Sequence, residues 1–241
     1  MKTSNKLFVA AVALVLGSLA TYDAALRAEY RTGHHRDPLH NYQALGLRNF
    51  DAVTVPSAGG LAVRVEAGPF AVRVSKRAAD YVQVTQRGQQ LVVAVNYPHE
   101  PKSLGFGDAV VITCPRLAAL TTEGTYTVAG KAPQNQRQAG GTIEIHGFRQ
   151  DSLTLRQDAS SQLRLTGNTL GGLRATAGSR LGSEPGLAID ATNRIQAANL
   201  AINHRGHLDL ATAIPGLRYQ FSDSATIALS GATARSLNPT K

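Results

Sequence analysis

The sequence predicts an all-β domain, a solenoid of short stacked strands, with a β-sandwich as the alternative. Three observations predict it. From Phe50 onward apolar residues alternate with a period of two. In the second half, short apolar-x-apolar triplets recur, their starts mostly eight to ten residues apart. The composition holds Gly 23 and Trp 0, with aromatics at only 5%, so the core must be built from small and branched aliphatic side chains.

The first half supplies the alternation. Ala52-Val53-Thr54-Val55, Val63-Arg64-Val65, Val72-Arg73-Val74, Val82-Gln83-Val84 and Leu91 to Val95 are strand patterns. Pro56 to Gly60 and Ala67-Gly68-Pro69 break them as turns do. Val53, Val55, Val63, Val65, Val72, Val74, Val82 and Val84 are expected to line one buried face. No stretch here has the apolar spacing of a strong amphipathic helix.

The second half supplies the ladder. Its triplets begin at Leu153, Leu163, Leu173, Leu187, Leu200, Leu208, Leu217 and Ile227, with Gly, Asn, Asp or Ser between them. Three-residue strands are shorter than the ~5–6 residues of an ordinary sandwich, and suit coils stacked on one another. Two or three triplets would make one coil, of unfixed length because the spacing is irregular between Leu173 and Leu200.

The N-terminus carries an export segment. Lys2 and Lys6 precede the apolar run Leu7 to Leu16, which continues to Ala20, with Ser18 and Ala20 as small residues at a cleavage position. Residues 1–20 read as a signal peptide. If the apolar stretch extends to Leu26, residues 7–26 become an uncleaved anchor, since a span needs ~20 residues. No cysteine stands near it, so lipoprotein attachment is not expected. Residues 21–48 read as a polar linker and residues 49–241 as the all-β domain.

Hydrophobic residues at 43% against 17% charged argue for a packed core rather than disorder. The net charge of +9 is spread without a basic run and reads first as solubility. Cys114 is the single cysteine and sits in Val110-Val111-Ile112-Thr113-Cys114, where it reads as a small buried hydrophobe.

These segments resemble a known bacterial family. Phe50-x-x-Val53-x-Val55, Val63-x-Val65, Val72-x-Val74, Val82-x-Val84 and Gly88-Gln89-Gln90-Leu91 are similar to its opening. Val110 to Leu120 followed by Gly124 is similar to its central segment, and the Leu-x-Leu ladder completes it. The family is the auto-transporter adhesin head GIN domain, a domain of unknown function. The resemblance covers about Asn49 to the C-terminus. It implies a right-handed β-helix-like domain in the Gram-negative envelope, at the periplasm or cell surface, and carries over no catalytic residue. No series of ~9–11-residue barrel strands follows Ile227, so self-translocation is not expected.

Candidate chemistry is sparse. Glycoside hydrolysis needs two carboxylates ~5–10 Å apart across a cleft. Asp151, Asp158, Glu184, Asp190, Asp209 and Asp223 are dispersed in apparent turns, where aspartate usually serves backbone hydrogen bonds. His34-His35-Arg36-Asp37 reads as linker, and His204-Arg205-Gly206-His207-x-Asp209 as a polar turn, since a metal needs three or four convergent ligands. Leu170-Gly171-Gly172-Leu173 and Gly140-Gly141 are not phosphate loops, because no strand-to-helix transition follows them. No cofactor is expected.

One pattern points to binding. Arg64, Arg73, Arg164, Arg174 and Arg218 each sit between two inward residues, so all five must point outward, and in stacked strands some form a basic stripe. Such a stripe suits an anionic glycan or another envelope surface component. Nucleic acid is not expected, because export and the lack of interleaved aromatics speak against it. The expectation is a non-enzymatic exported binding or adhesion module, with membrane contact only through an uncleaved N-terminus. The alternative is a carbohydrate-active enzyme, a lyase or hydrolase, on a β-helix scaffold.

Overall fold

The computed structural model describes residues 3–33, 37–101, 104, 107–131, 134–135 and 141–236. Lys2, the His34-His35-Arg36 cluster and Gly140 lie outside them. Two compact units are present, Met1–Tyr42 and Gln43–Lys241.

The first unit contains one helix, α1 (Thr3–Thr32). It continues well past residue 20, so the first part of the polar stretch is helical. Its two central hydroxyls bond back along the helix, Ser18 Oγ to the Val15 carbonyl at 2.8 Å and Thr21 Oγ1 to that of Gly17 at 2.7 Å. Neither therefore needs water. Gly33 ends the helix at φ +73°, a left-handed cap that glycine adopts without steric cost. Within the stretch Asn5–Arg31 an 18-residue window has mean hydropathy 1.8, long and apolar enough to cross a membrane, a test that a signal sequence also passes.

The second unit is almost entirely strand. β1 (Tyr42–Leu45), β2 (Ala52–Val55), β3 (Val63–Ala67), β4 (Ala71–Ser75), β5 (Val82–Arg87) and β6 (Gln90–Tyr97) come first. β7 (Val110–Cys114), β8 (Ala119–Thr122), β9 (Thr125–Val128) and β10 (Gln134–Asn135) follow. The ladder is β11 (Thr142–His146), β12 (Arg149–Gln157), β13 (Gln162–Thr166), β14 (Thr169–Ala177) and β15 (Gly186–Ile189). It continues through β16 (Arg194–Ile202), β17 (His207–Leu210), β18 (Gly216–Phe221) and β19 (Thr226–Leu229). A short helix, α2 (Gly231–Ser236), comes after it.

These strands form two sheets. Sheet A runs β1-β4-β7-β3-β11-β13-β15-β17-β19 and sheet B runs β10-β9-β6-β2-β8-β12-β14-β16-β18, with β5 paired to β6. From β11 onward the chain alternates between sheets, and every strand pairs in parallel with the strand two places later. Each coil thus contributes one strand to each sheet, which is the stacked arrangement the triplets predict. The first half is mixed, because β4–β7 and β5–β6 are antiparallel. The β5–β6 hairpin turns at Gly88-Gln89, where Gly88 takes φ +59°.

The core lies between the sheets and is made of aligned rows. Val63, Ile143, Leu163, Leu187 and Leu208 are successive partners across sheet A, all buried. Leu155, Ala175 and Leu200 are successive partners across sheet B, also buried. Burying one such leucine contributes about 1.5–3 kcal/mol. Of the eight expected inward valines all are buried except Val84, which packs half-exposed against the same core.

Two sequence expectations change. The triplets are not three-residue strands but the buried alternation inside longer ones, up to nine residues in β12, β14 and β16. The period of two also fails once per coil in sheet B. Leu170 and Leu173 are both buried with Gly171 and Gly172 between them, and Ile195 and Ala198 are both buried with Gln196 and Ala197 between them. Two consecutive residues facing outward bend the strand there, as a bulge does. The irregular spacing has a plain cause as well. Leu155, Ala175, Leu200 and Tyr219 are successive partners, so by residue number the coils measure 20, 25 and 19 residues. The long one carries the connection 178–185.

Candidate functional site: a groove on the outer face of sheet B

The five arginines all face outward, but the two sheets divide them. On sheet A the register aligns Arg73, Val111, Arg64, Glu144, Arg164, Ala188 and Asp209 in one row. This row mixes charges, with Glu144 and Asp209 among the arginines. Arg64 Nε lies 3.1 Å from Glu66 Oε1 and 2.9 Å from Asp108 Oδ2, off hydrogen-bonding angle, so the attraction is mainly Coulombic. Burial raises the Asp108 pKa; Arg64 opposes that rise, and Glu144 and Glu66 add to it. Arg64 is therefore already matched by acids, and Glu144 separates it from Arg164.

On sheet B the corresponding row is different. Ala119, Thr154, Arg174, Asn199 and Arg218 are successive partners, and none is acidic. Beside it runs a second outward row, Ser152, Gly172, Ala197 and Gly216. Every member is small. A Cβ on Gly216 would come within 3.0 Å of Ala197 Cβ and 3.1 Å of the Gln196 carbonyl, so the floor admits no larger side chain at that position without movement. Together the rows line a groove of about 550 Å³ that runs across the strands, with Thr154, Arg174, Asn199 and Arg218 along it.

The local sequence explains the shape. Leu153, Leu173 and Ala198 plug into the core directly beneath, which fixes the flanking residues outward. The two-residue outward step at Gly171-Gly172 then brings a second small position to the surface. A Cβ on Gly171 would meet the Asp151 carbonyl at 2.8 Å, so backbone, not side chain, forms that edge.

Sequence reasoning had found Arg174 and Arg218 but not Thr154, Asn199 or the small row. Asn199 was hidden because the triplet read at Leu200-Ala201-Ile202 is offset by two from its neighbours; the register instead aligns Ala198-Asn199-Leu200 with Leu173-Arg174-Ala175. The Gly171-Gly172 pair, set aside as no phosphate loop, supplies part of the groove.

Asp158, Glu184, Asp190, His207 and Asp209 have structural partners. Asp158 Oδ1 accepts from the Ser179 amide at 2.6 Å and the Arg180 amide at 3.1 Å. Asp190 Oδ1 accepts from Thr192 N at 3.1 Å, and Glu184 pairs with Arg205 at 2.7 Å. His207 lies between Thr226 Oγ1 at 2.7 Å and Asp209 Oδ1 at 3.0 Å. Among the described residues no group of three or more His, Cys, Asp or Glu side chains is placed to hold a metal ion. Cys114 is buried, and desolvation pushes its thiol up to about 12.

Fold and groove define a two-sheet stacked-strand protein with an open surface groove, small and apolar along its floor and carrying Arg174 and Arg218. No protein-family model matches the chain, and no curated protein matches it. Among solved structures, a "putative adhesin" from Bacteroides fragilis NCTC 9343 is similar at 9% identity and TM-score 0.41, over 78% of this chain and 95% of that one. A "putative lipid binding protein" from Parabacteroides distasonis ATCC 8503 is similar at 13% identity and TM-score 0.37, over 79% and 94%. A "putative adhesin" from the same organism is similar at 10% identity and TM-score 0.37, over 79% and 93%.

Proposed function

We propose that this chain is an exported, non-enzymatic binding module of a Gram-negative envelope, and that an anionic glycan lies along the sheet B groove. The observation that carries this reading is the pair of aligned rows. Arg174 and Arg218 are two strands apart, with Asn199 between them. At the usual strand spacing that is ~10 Å, comparable to the rise of two linked pyranose rings. A polysaccharide with one carboxylate per disaccharide would meet one guanidinium at each repeat, and arginine grips carboxylates with two parallel hydrogen bonds. The small row gives sugar rings a flat floor, and Thr154 and Asn199 offer neutral hydrogen bonds to hydroxyls. The sheet A arginines serve worse, because Arg64 is neutralised in place. The apolar α1 supports export as a signal or an anchor, and the head GIN resemblance points the same way.

Titration of the full-length protein with polygalacturonate and with neutral dextran tests the reading. The uronate polymer should bind, more weakly as salt rises, and dextran should not. Charge-assisted hydrogen bonds contribute about 1.5–3 kcal/mol, so Arg174→Ala and Arg218→Ala should each weaken binding about tenfold or more. Arg64→Ala should leave it unchanged. Equal loss in Arg64→Ala would move the site off sheet B, and release of shortened products would make the protein an enzyme. Intact mass from the native host tests the address: a mature chain starting near Thr21, or the full chain in membranes, fits export, and the full chain in cytosol does not.

A further inference from the structure

The C-terminal end of the stack contains a second space that the groove does not use. Register assigns Tyr219 and Ile227 to the core. Tyr219 is the partner of Leu200 and Ile227 the partner of Leu208, and both partners are buried at 0% and 1% exposure. Yet Tyr219 is 64% exposed and Ile227 42%. Among the described residues β18 and β19 are the last strands of their sheets, so these inward positions lack the strand neighbour that covers every earlier rung. Between the last two strands lies a cavity of about 390 Å³.

Its lining decides what fits. Leu200 and Leu208 form the floor, and Leu217 and Phe221 face Ile227 and Leu229 across it. Ala213, Ile214 and Pro215 close one side, and Thr233 of α2 contributes to the wall and is itself buried. Among the described residues that line it, the only polar side-chain atoms are the hydroxyls of Tyr219 and Thr233, and none is charged. A space lined this way offers water too few partners to be held well. The loop at 213–215 and α2 also stand against the end, so it is not a bare strand edge onto which another copy's coil could be laid. A slim, flexible hydrocarbon meets neither obstacle. The volume lies near the lower bound of small-molecule sites, which run ~300–1,000 Å³, and so matches one alkyl chain better than a two-chain lipid.

We propose that this end cavity takes the alkyl chain of a single-chain amphiphile of the fatty-acid type, its polar head remaining outside beside Tyr219. The ring of Tyr219, 5.3 Å from that of Phe221, stands at the mouth where chain meets water.

The test uses the full-length chain in nanodiscs with a diazirine-bearing palmitate, irradiation and peptide mapping. Label should appear on the segment 213–233 and fall at least fivefold with excess unlabelled palmitate. Leu217→Trp, which fills the cavity, should abolish that label, and Ala213→Phe at the exposed loop should do the same if the first variant does not fold. Three results overturn the proposal: label confined to α1, label on 213–233 that unlabelled palmitate leaves in place, or unchanged labelling in the filled variants. A tail-to-tail dimer with an unlabelled cavity, or labelling by a two-chain photoreactive phospholipid alone, overturns it too.

Discussion

Asn168 Nδ2 donates a hydrogen bond of 2.9 Å to Asn193 Oδ1 on the next coil, with both side chains buried. The contact belongs to a ladder along one corner of the stack. Asn168 Nδ2 also donates to the Ile145 carbonyl, and Asn168 Oδ1 accepts from the Phe148 amide. Asn193 Nδ2 donates to the carbonyls of Leu165 and Asp190, and Thr212 Oγ1 donates to the Asn193 carbonyl at 3.0 Å. Each side chain adds hydrogen bonds to backbone groups where the chain leaves one sheet for the other, and the Phe148 amide there is paired by the Asn168 side chain.

Asn168→Ala should therefore be among the more damaging single changes in the stack. It leaves the buried Phe148 amide without its side-chain partner and removes the side-chain bonds to the Ile145 carbonyl and Asn193. Leaving a buried partner unpaired costs about 1–3 kcal/mol per group, so a loss of about 1–3 kcal/mol is expected by urea unfolding. A loss below ~0.5 kcal/mol would show that the ladder contributes nothing to stability.

The in-out-in alternation at Leu163-Arg164-Leu165 is open to the same measurement. Leu163 and Leu165 are buried in the row between Ile143 or Ile145 and Leu187 or Ile189, whereas Arg164 is exposed. Leu165→Ala should cost about 2–5 kcal/mol through lost burial and the cavity left behind. Arg164→Ala should stay within about ±0.5 kcal/mol. Equal damage from the two would contradict the strand orientation.

Cys114 should be inert while the protein is folded. Its pKa is raised to about 12 by desolvation, so at pH 8 the reactive thiolate is scarce, and the sulfur is buried as well. Mass spectrometry should find no iodoacetamide adduct after native incubation and full alkylation in 8 M-range urea, at about the denaturant level that unfolds the chain. Rapid native alkylation would mean that β7 opens locally.

How much of this was legible in the sequence differs by element. The strands could be read because alternation is local: Val63-Arg64-Val65 states which side chains go in and out without reference to any partner. The outward direction of Arg174 and Arg218 followed from the same rule. The buried Asn168 and Asn193 were not legible, since asparagine between strands reads equally well as a solvated turn residue, and only the coil above shows that one side chain caps the next. The bend at Gly171-Gly172 escaped because a strict period of two assigns one of those residues to the core.

By itself the sequence determined the all-β class, most of the inward and outward sets, and the apolar segment at the start, all set by side-chain chemistry over a few neighbouring positions. Only the tertiary structure decided which outward residues meet. Arg174 faces Asn199, and Asn199 faces Arg218, across coils of 25 and 19 residues by residue number. Arg64 instead falls beside Glu66, Asp108 and Glu144. The reason is that cross-strand register is set by the length of the connections and by the fit of one coil's core residues on the next. Those are relations between distant segments, and no local spacing encodes them.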